Sequence, residues 1–257
     1  MQPVVVLAGG LGTRVAHLAA PEQPKALLPL DGHAFIDYEL ASLAAAGATQ
    51  VVVLAGYGAD QLRAHVGDER RFGLSVSLVE DGPVLLGTGG AIRAVVDRLP
   101  SIFWVTYGDT LLQVPVDAVE ARLAQDPTLL GIMTVLANND RWETSNVDVD
   151  GDLVAAYEKH SIAGTHRHID YGMLLFRREV FEESPVGRPS DLSEVVRGLV
   201  ARRALGAFEV TERFHDIGTE AAWRETERWC RQTRIWDALQ IELEARGRSD
   251  GQSRRER

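Results

Sequence analysis

The chain has 257 residues, 45% hydrophobic and 25% charged, with a formal net charge of −10. That length suits one large α/β domain or two small ones with a substantial core. The acidic balance argues against a surface that coats nucleic acid or an anionic membrane, though not against a nucleotide in a local basic pocket. One cysteine, Cys230, excludes an intramolecular disulfide and a cysteine-based metal cluster. The chain enters an apolar run at once, with no charged leader, and no stretch reaches the roughly 18–20 apolar residues of a membrane span. A soluble, cytoplasmic protein is the expectation.

In chain order, apolar β-branched runs at Val4–Ala8, Gln50–Leu54, Leu74–Val79, Ile102–Thr106 and Leu130–Leu136 predict strands. Helical spacing fills the gaps at Ala34–Ala46, Ala59–Val66, Gly89–Leu99 and Val116–Ala124. The second of two glycine signals, Gly47, reads as the C-cap of the first helix. This alternation predicts an α/β fold: a single, doubly wound, mostly parallel Rossmann-like sheet covered on both faces. After residue 136 the rhythm changes. Ser145–Val149 and Leu153–Tyr157 flank "DVDGD" as a hairpin, and Tyr171–Phe176 is a further strand. A helix follows near Asp191–Arg203 with Asp191 as N-cap, then a strand near Ala207–Val210 and a long helix from Glu220. Trp104 reads as core; Trp223 and Trp229 read as a packing or dimerising face. The sequence "RGRSDGQSRRER", 246–257, reads as a disordered charged tail.

The chemistry starts at "LAGGLGTR", residues 7–14. Glycines at a strand end let backbone N–H groups approach an anion, and Arg14 can grip phosphate oxygens bidentately. No P-loop string exists. A dinucleotide fingerprint fails at Val15 and lacks an acidic residue after the second strand, where Ala55-Gly56 stands. What remains is G-G-x-G-T-R followed by Pro24-Lys25. Further along, "LLGTGGAI" at 85–92 gives a second glycine loop at a helix start, read as backbone-exposed. "TYGDT" sets Asp109 just past a strand end, where carboxylates suit Mg²⁺. "FHDIGT" carries Asp216, "YEKH" carries Glu158 and Lys159, and "IDYGMLLF" carries Asp170 and Gly172.

From about Pro3 to Arg231 these motifs resemble the sugar-1-phosphate nucleotidylyltransferases, which make an NDP-sugar and pyrophosphate from an NTP and a sugar 1-phosphate. The resemblance implies a nucleotidylyltransferase domain over 1–235. Its nucleotide-binding half is 1–136, and 137–218 is a smaller, sugar-binding β subregion. Arg14 and Lys25 would be catalytic. Leu7, Ala8, Gly9, Gly10, Gly12, Thr13, Glu80, Gly87, Thr88 and Gly108 would bind nucleotide. Asn146, Glu158, Lys159, Asp170 and Gly172 would bind the sugar phosphate. Asp109 and Asp216 would share Mg²⁺. The chain departs from the family pattern at Ala16, where a second arginine is frequent, at His160 for proline, and at Asp170 for asparagine. The gap from Arg14 to Lys25 is also slightly long. Short heptose 1-phosphate guanylyltransferases are the nearest in pattern, so GTP and a heptose 1-phosphate are the favoured substrates. Two alternatives stand beside this reading: a cytidylyltransferase acting on a non-sugar phosphate, and a non-catalytic nucleotide-sugar-binding regulator. His160, His166 and His168 read as a polar loop in preference to a metal site. A homo-oligomer is allowed; nucleic-acid and membrane partners are not expected.

Overall fold

The computed structural model describes residues 1–10, 12–20, 23–67, 72–80, 82 and 85–255. Strand β1 (Val4–Leu7) leads through a short 3₁₀ turn (Thr13–Leu18) to β2 (Pro29–Leu30), β3 (His33–Ala34) and helix α1 (Phe35–Ala45). Then come β4 (Gln50–Ala55), α2 (Ala59–Val66), β5 (Ser75–Glu80), α3 (Gly87–Val95), β6 (Ile102–Tyr107), β7 (Thr110–Leu111), α4 (Val116–Gln125) and β8 (Gly131–Ala137). The later part holds β9 (Val147–Asp150), β10 (Leu153–Tyr157), β11 (His168–Arg177), α5 (Glu179–Glu182) and α6 (Leu192–Ala201). It closes with β12 (Leu205–Val210), β13 (His215–Asp216), α7 (Glu220–Thr233) and α8 (Ile235–Arg255).

One nine-stranded sheet runs β5-β4-β1-β6-β11-β8-β12-β10-β9. The first four strands are parallel, as continuous apolar runs demand when both faces are covered. Along β1, Val4 and Val6 enter one core layer and Val5 and Leu7 the other. Parallel pairing does not extend over most of the sheet, however. β11 runs antiparallel to both β6 and β8, and β10 antiparallel to β12 and β9; only β12–β8 is parallel in this half. The two-residue connection between β9 and β10 makes that pair a hairpin, antiparallel by construction. His168 of β11 also pairs with Val147 of β9, so the later strands curl into a closed ring.

Gly47 adopts φ 93 and caps α1, and Gly151 at φ 58 turns the β9–β10 hairpin. Trp104 is fully buried in β6. The long C-terminal helix is two helices, broken at Arg234 in a left-handed conformation. The stretch from 246, expected as a disordered tail, continues α8 to Arg255; its four arginines and Gln252 are good helix formers and no proline stops the run. Residues 256–257 of that expectation lie outside the described residues. No described helix is long and apolar enough to cross a membrane.

Candidate active site

The site lies along the carboxyl ends of β1, β4 and β6, where open α/β sheets bind ligands. Ala8 continues the ladder by donating to the carbonyl of Leu54 (2.8 Å), and the glycine loop begins there. Gly12 sits at φ 58, and a Cβ there would stand 3.0 Å from Cβ of Lys25. The glycine therefore lets the Lys25 stem pass under the loop. Lys25 donates to Asp109 Oδ2 at 2.7 Å from a side chain only 13% exposed. Arg14 is exposed and makes no ion pair among the described residues, leaving its guanidinium free for an anion.

Asp109 and Asp216 are more than a hundred residues apart, yet a two-stranded ribbon joins them. In it, Thr110 of β7 pairs with Asp216 of β13. The Ile217 N–H also donates to the Asp109 carbonyl at 3.0 Å. Asp216 Oδ1 accepts from Gly218 N–H at 2.6 Å. Burial, reinforced by the negative charge of Asp109, pushes the Asp216 carboxyl above its usual range against the opposing pull of Gly218, Lys25 and Arg14. A Cβ built on Gly218 would lie 2.8 Å from Asp216, 3.4 Å from Arg14 and 3.7 Å from Lys25, which shows how tightly these groups converge. Two facing carboxylates fit a divalent cation. No group of three acidic, His or Cys ligands forms among the described residues, as suits Mg²⁺, which keeps waters and phosphate oxygens in its shell.

Two cavities meet at this cluster. The smaller, about 380 Å³, is lined by Leu7, Ala8, Gly9, Gly10, Lys25, Gly87, Thr88, Gly108 and Asp109. The larger, about 760 Å³, is lined by Arg14, Asp109, Asn146, Lys159, Asp170, Gly172 and Asp216. Four sequence-predicted residues stand outside both linings. Gly12 lies against the Lys25 stem, and Thr13 is exposed at the start of the 3₁₀ turn. Glu80 lies 3.5 Å from Arg63. Glu158, 63% exposed, lies 3.6 Å from His166 Nε2.

The second glycine loop is backbone-exposed only at Gly87, which lines the smaller cavity; Gly89 and Gly90 are buried. The Gly89 and Gly90 N–H groups both donate to the Ser190 carbonyl, and a Cβ on Gly87 would lie 2.6 Å from that same oxygen. These glycines admit the 188–191 strap onto α3. The strap ends at Asp191, which caps α6 through Ser193 N–H in a full capping box. Asp191 also accepts a hydrogen bond from Lys159 and lines both cavities. Sequence reasoning saw only the cap. It also missed Glu143, on the larger cavity, whose carboxyl is raised by burial and then by Asp216; no local pattern marks that residue.

In β11 the register shifts between Asp170 and Leu174, with Gly172 at φ 100. This bulge turns Asp170 and Gly172 toward the cavity. Asp170 accepts from Gly172 N–H at 3.0 Å, while its own N–H donates to Asn146 Oδ1 at 2.9 Å. Burial raises its carboxyl to about 6. His166 pairs with Asp148 and His168 with Glu209, so the three loop histidines diverge.

A glycine loop beside a buried lysine, a free arginine and a carboxylate pair, set between two cavities, defines a site that joins a nucleotide to a second phosphate. Residues 4–183 match the MobA-like NTP transferase domain, and the chain belongs to that family; it is a nucleotidyltransferase. The chain is 25% identical over 215 residues to the D-glycero-alpha-D-manno-heptose 1-phosphate guanylyltransferase of Campylobacter jejuni, covering 83% of this chain and 93% of that one. It is 30% identical over 200 residues to the N-acetylmuramate alpha-1-phosphate uridylyltransferase of Caulobacter vibrioides, covering 71% and 78%. The fold is shared with HddC from Yersinia pseudotuberculosis complexed with GMP-PN, at TM-score 0.74 and 22% identity over 89% of this chain and 99% of that one.

Proposed function

We propose that the chain makes an NDP-sugar and pyrophosphate from an NTP and a sugar 1-phosphate, with GTP and a heptose 1-phosphate as the preferred pair. The convergence of Arg14, Lys25, Asp109 and Asp216 between the two cavities carries this reading. Similarity to sugar-phosphate nucleotidyltransferases, a heptose-specific guanylyltransferase among them, supports the substrate pair.

In this mechanism an oxygen of the sugar phosphate attacks the α-phosphorus. A new P–O bond forms as the bond to the bridging oxygen breaks, and pyrophosphate leaves with that electron pair. The nucleophile is already ionised, so no general base is required; alignment and charge neutralisation dominate. Arg14 grips the β- and γ-phosphates. Lys25 meets the charge that builds at the α-phosphate, exchanging its present partner Asp109 for phosphate oxygen. Lys159 leaves Asp191 to hold the sugar phosphate in line. Asn146, Asp170 and Gly172, which line the larger cavity, face the sugar hydroxyls. Asp109 and Asp216 would hold Mg²⁺, which would supply further neutralisation of phosphate charge.

The test is pyrophosphate release across five NTPs and a panel of hexose and heptose 1-phosphates, with Asp109→Ala as control. Release with GTP and a heptose 1-phosphate that disappears in the control is expected. Release with phosphocholine in place of every sugar phosphate would overturn the sugar assignment, and tight nucleotide binding with no turnover on any acceptor would favour a regulator.

A further inference from the structure

Glu39 is a buried charge-bearing side chain that the chemistry above does not use. It sits on the second turn of α1, only 3% exposed, and neither carboxyl oxygen has a hydrogen-bond partner among the described residues. Burying a carboxyl without hydrogen-bond partners destabilises the fold, and a leucine would fit the same apolar surroundings without that cost. Burial holds the group well above the usual carboxylate range, and the charge of Asp109 pushes the same way, so it is a neutral acid.

Glu39 lines a cavity of about 40 Å³ whose other polar walls are Ser42 of α1, Thr106 of β6 and Thr110 of β7. Space on this scale holds a water when it has polar partners. Thr110 is the residue that ties the cavity to the site. Its hydroxyl donates to Asp109 Oδ1 at 3.0 Å, and its backbone pairs with Asp216 in the ribbon.

We propose that Glu39 is a positioning residue: through water in this cavity it orients Thr110, and Thr110 in turn fixes the rotamer of Asp109. The donors run in one direction. The Glu39 O–H donates to water, the water donates to Thr110 Oγ1, and the Thr110 O–H donates to Asp109. Such a chain strengthens along its length and ends on the carboxylate. The inference rests on Asp109 being a metal ligand. Groups that orient a metal's ligands from behind control its affinity, commonly by about 10–100-fold.

The experiment compares Glu39→Leu, Glu39→Gln, Thr110→Val and the Glu39→Leu/Thr110→Val double variant with the unaltered enzyme. The Mg²⁺ midpoint for binding of a fluorescent GTP analogue is read beside thermal stability. Glu39→Leu is expected to melt higher yet to need about tenfold more Mg²⁺. Thr110→Val should shift the midpoint equally, and the double variant no further, because both act through one chain. Glu39→Gln retains a donor for the water and should stay within about twofold on the same scale. An unchanged Mg²⁺ midpoint in either Glu39→Leu or Thr110→Val, or additive shifts, overturns the proposal; should Glu39→Leu fail to fold, Thr110→Val alone decides. Asp109→Ala separates the two readings: if its midpoint equals that of the unaltered enzyme, the metal assignment has failed and not the positioning chain alone.

Discussion

The two halves of the sheet meet their ligands with different material. Before residue 137 the site is mostly backbone and small residues packed against a parallel sheet, with Lys25 threaded beneath Gly12. After it, the site is side chains pinned by hydrogen bonds: Asp170 accepts from the Gly172 N–H, Asn146 accepts from the Asp170 N–H, and Lys159 donates to Asp191. Under the proposed function the first half would meet the parts common to any NTP, and the second would supply acceptors and donors for one partner. Generic chemistry would then be built from backbone, and selectivity from side-chain contacts.

Substitutions can break this contrast. The largest effect belongs to the generic half. Lys25→Ala should lower kcat by about 10²–10³-fold with every NTP and every sugar phosphate, since it removes a transition-state contact common to all. Loss confined to one sugar would assign Lys25 to the other half. A smaller effect tests the seam between the halves. Gly87→Ala forces a Cβ at φ 68 to within 2.6 Å of the Ser190 carbonyl and should destabilise the fold by about 2–4 kcal/mol. Urea unfolding would show this as a lower midpoint with an unchanged slope.

The smallest effect lies in the selective half and depends on pH. Asp170 has a folded value of about 6, above its usual 3.8. The unfolded chain therefore releases this proton first, and stability falls as pH rises from about 4 through 6. Asp170→Asn removes the loss. It should stabilise the protein by at most about 3 kcal/mol at pH 8 and by less than about 1 kcal/mol at pH 4, before any effect on sugar choice. Equal gains at both values, measured by thermal unfolding, would mean that the carboxyl titrates alike in the folded and the unfolded chain.

What was legible in the sequence follows the same division. Arg14, Lys25, Asp109 and Asp216 stood out because each sits in a short motif at a strand end, and topology brings strand ends of an α/β sheet to one edge. The glycines of 87–90 were visible, but their purpose was not. What they admit is a strap a hundred residues away, and one-dimensional spacing carries no such pairing. Asp191 was hidden by its own cap, since a helix N-terminus explains an aspartate completely. Glu39 was hidden among apolar neighbours, as one polar letter on an otherwise buried face. The parallel pairing was read correctly where runs were continuous and overextended where β11 reverses direction.

β11 belongs to both halves. Its lower part is laddered to β6, residue against residue from Met173 to Arg177, and its upper part to β8 and β9. The strand that carries Asp170 is therefore hydrogen-bonded directly beside the strand that ends two residues before Asp109. The offset between these two carboxylates is set by ladder register, in steps of one residue, and cannot drift continuously as it would across a hinge. A residue inserted or deleted between Gly172 and Arg177 would shift Asp170 against Asp109 by a whole step of about 3.3 Å and turn the buried side chains of β11 to the opposite face. β11 is a ruler graduated in single residues.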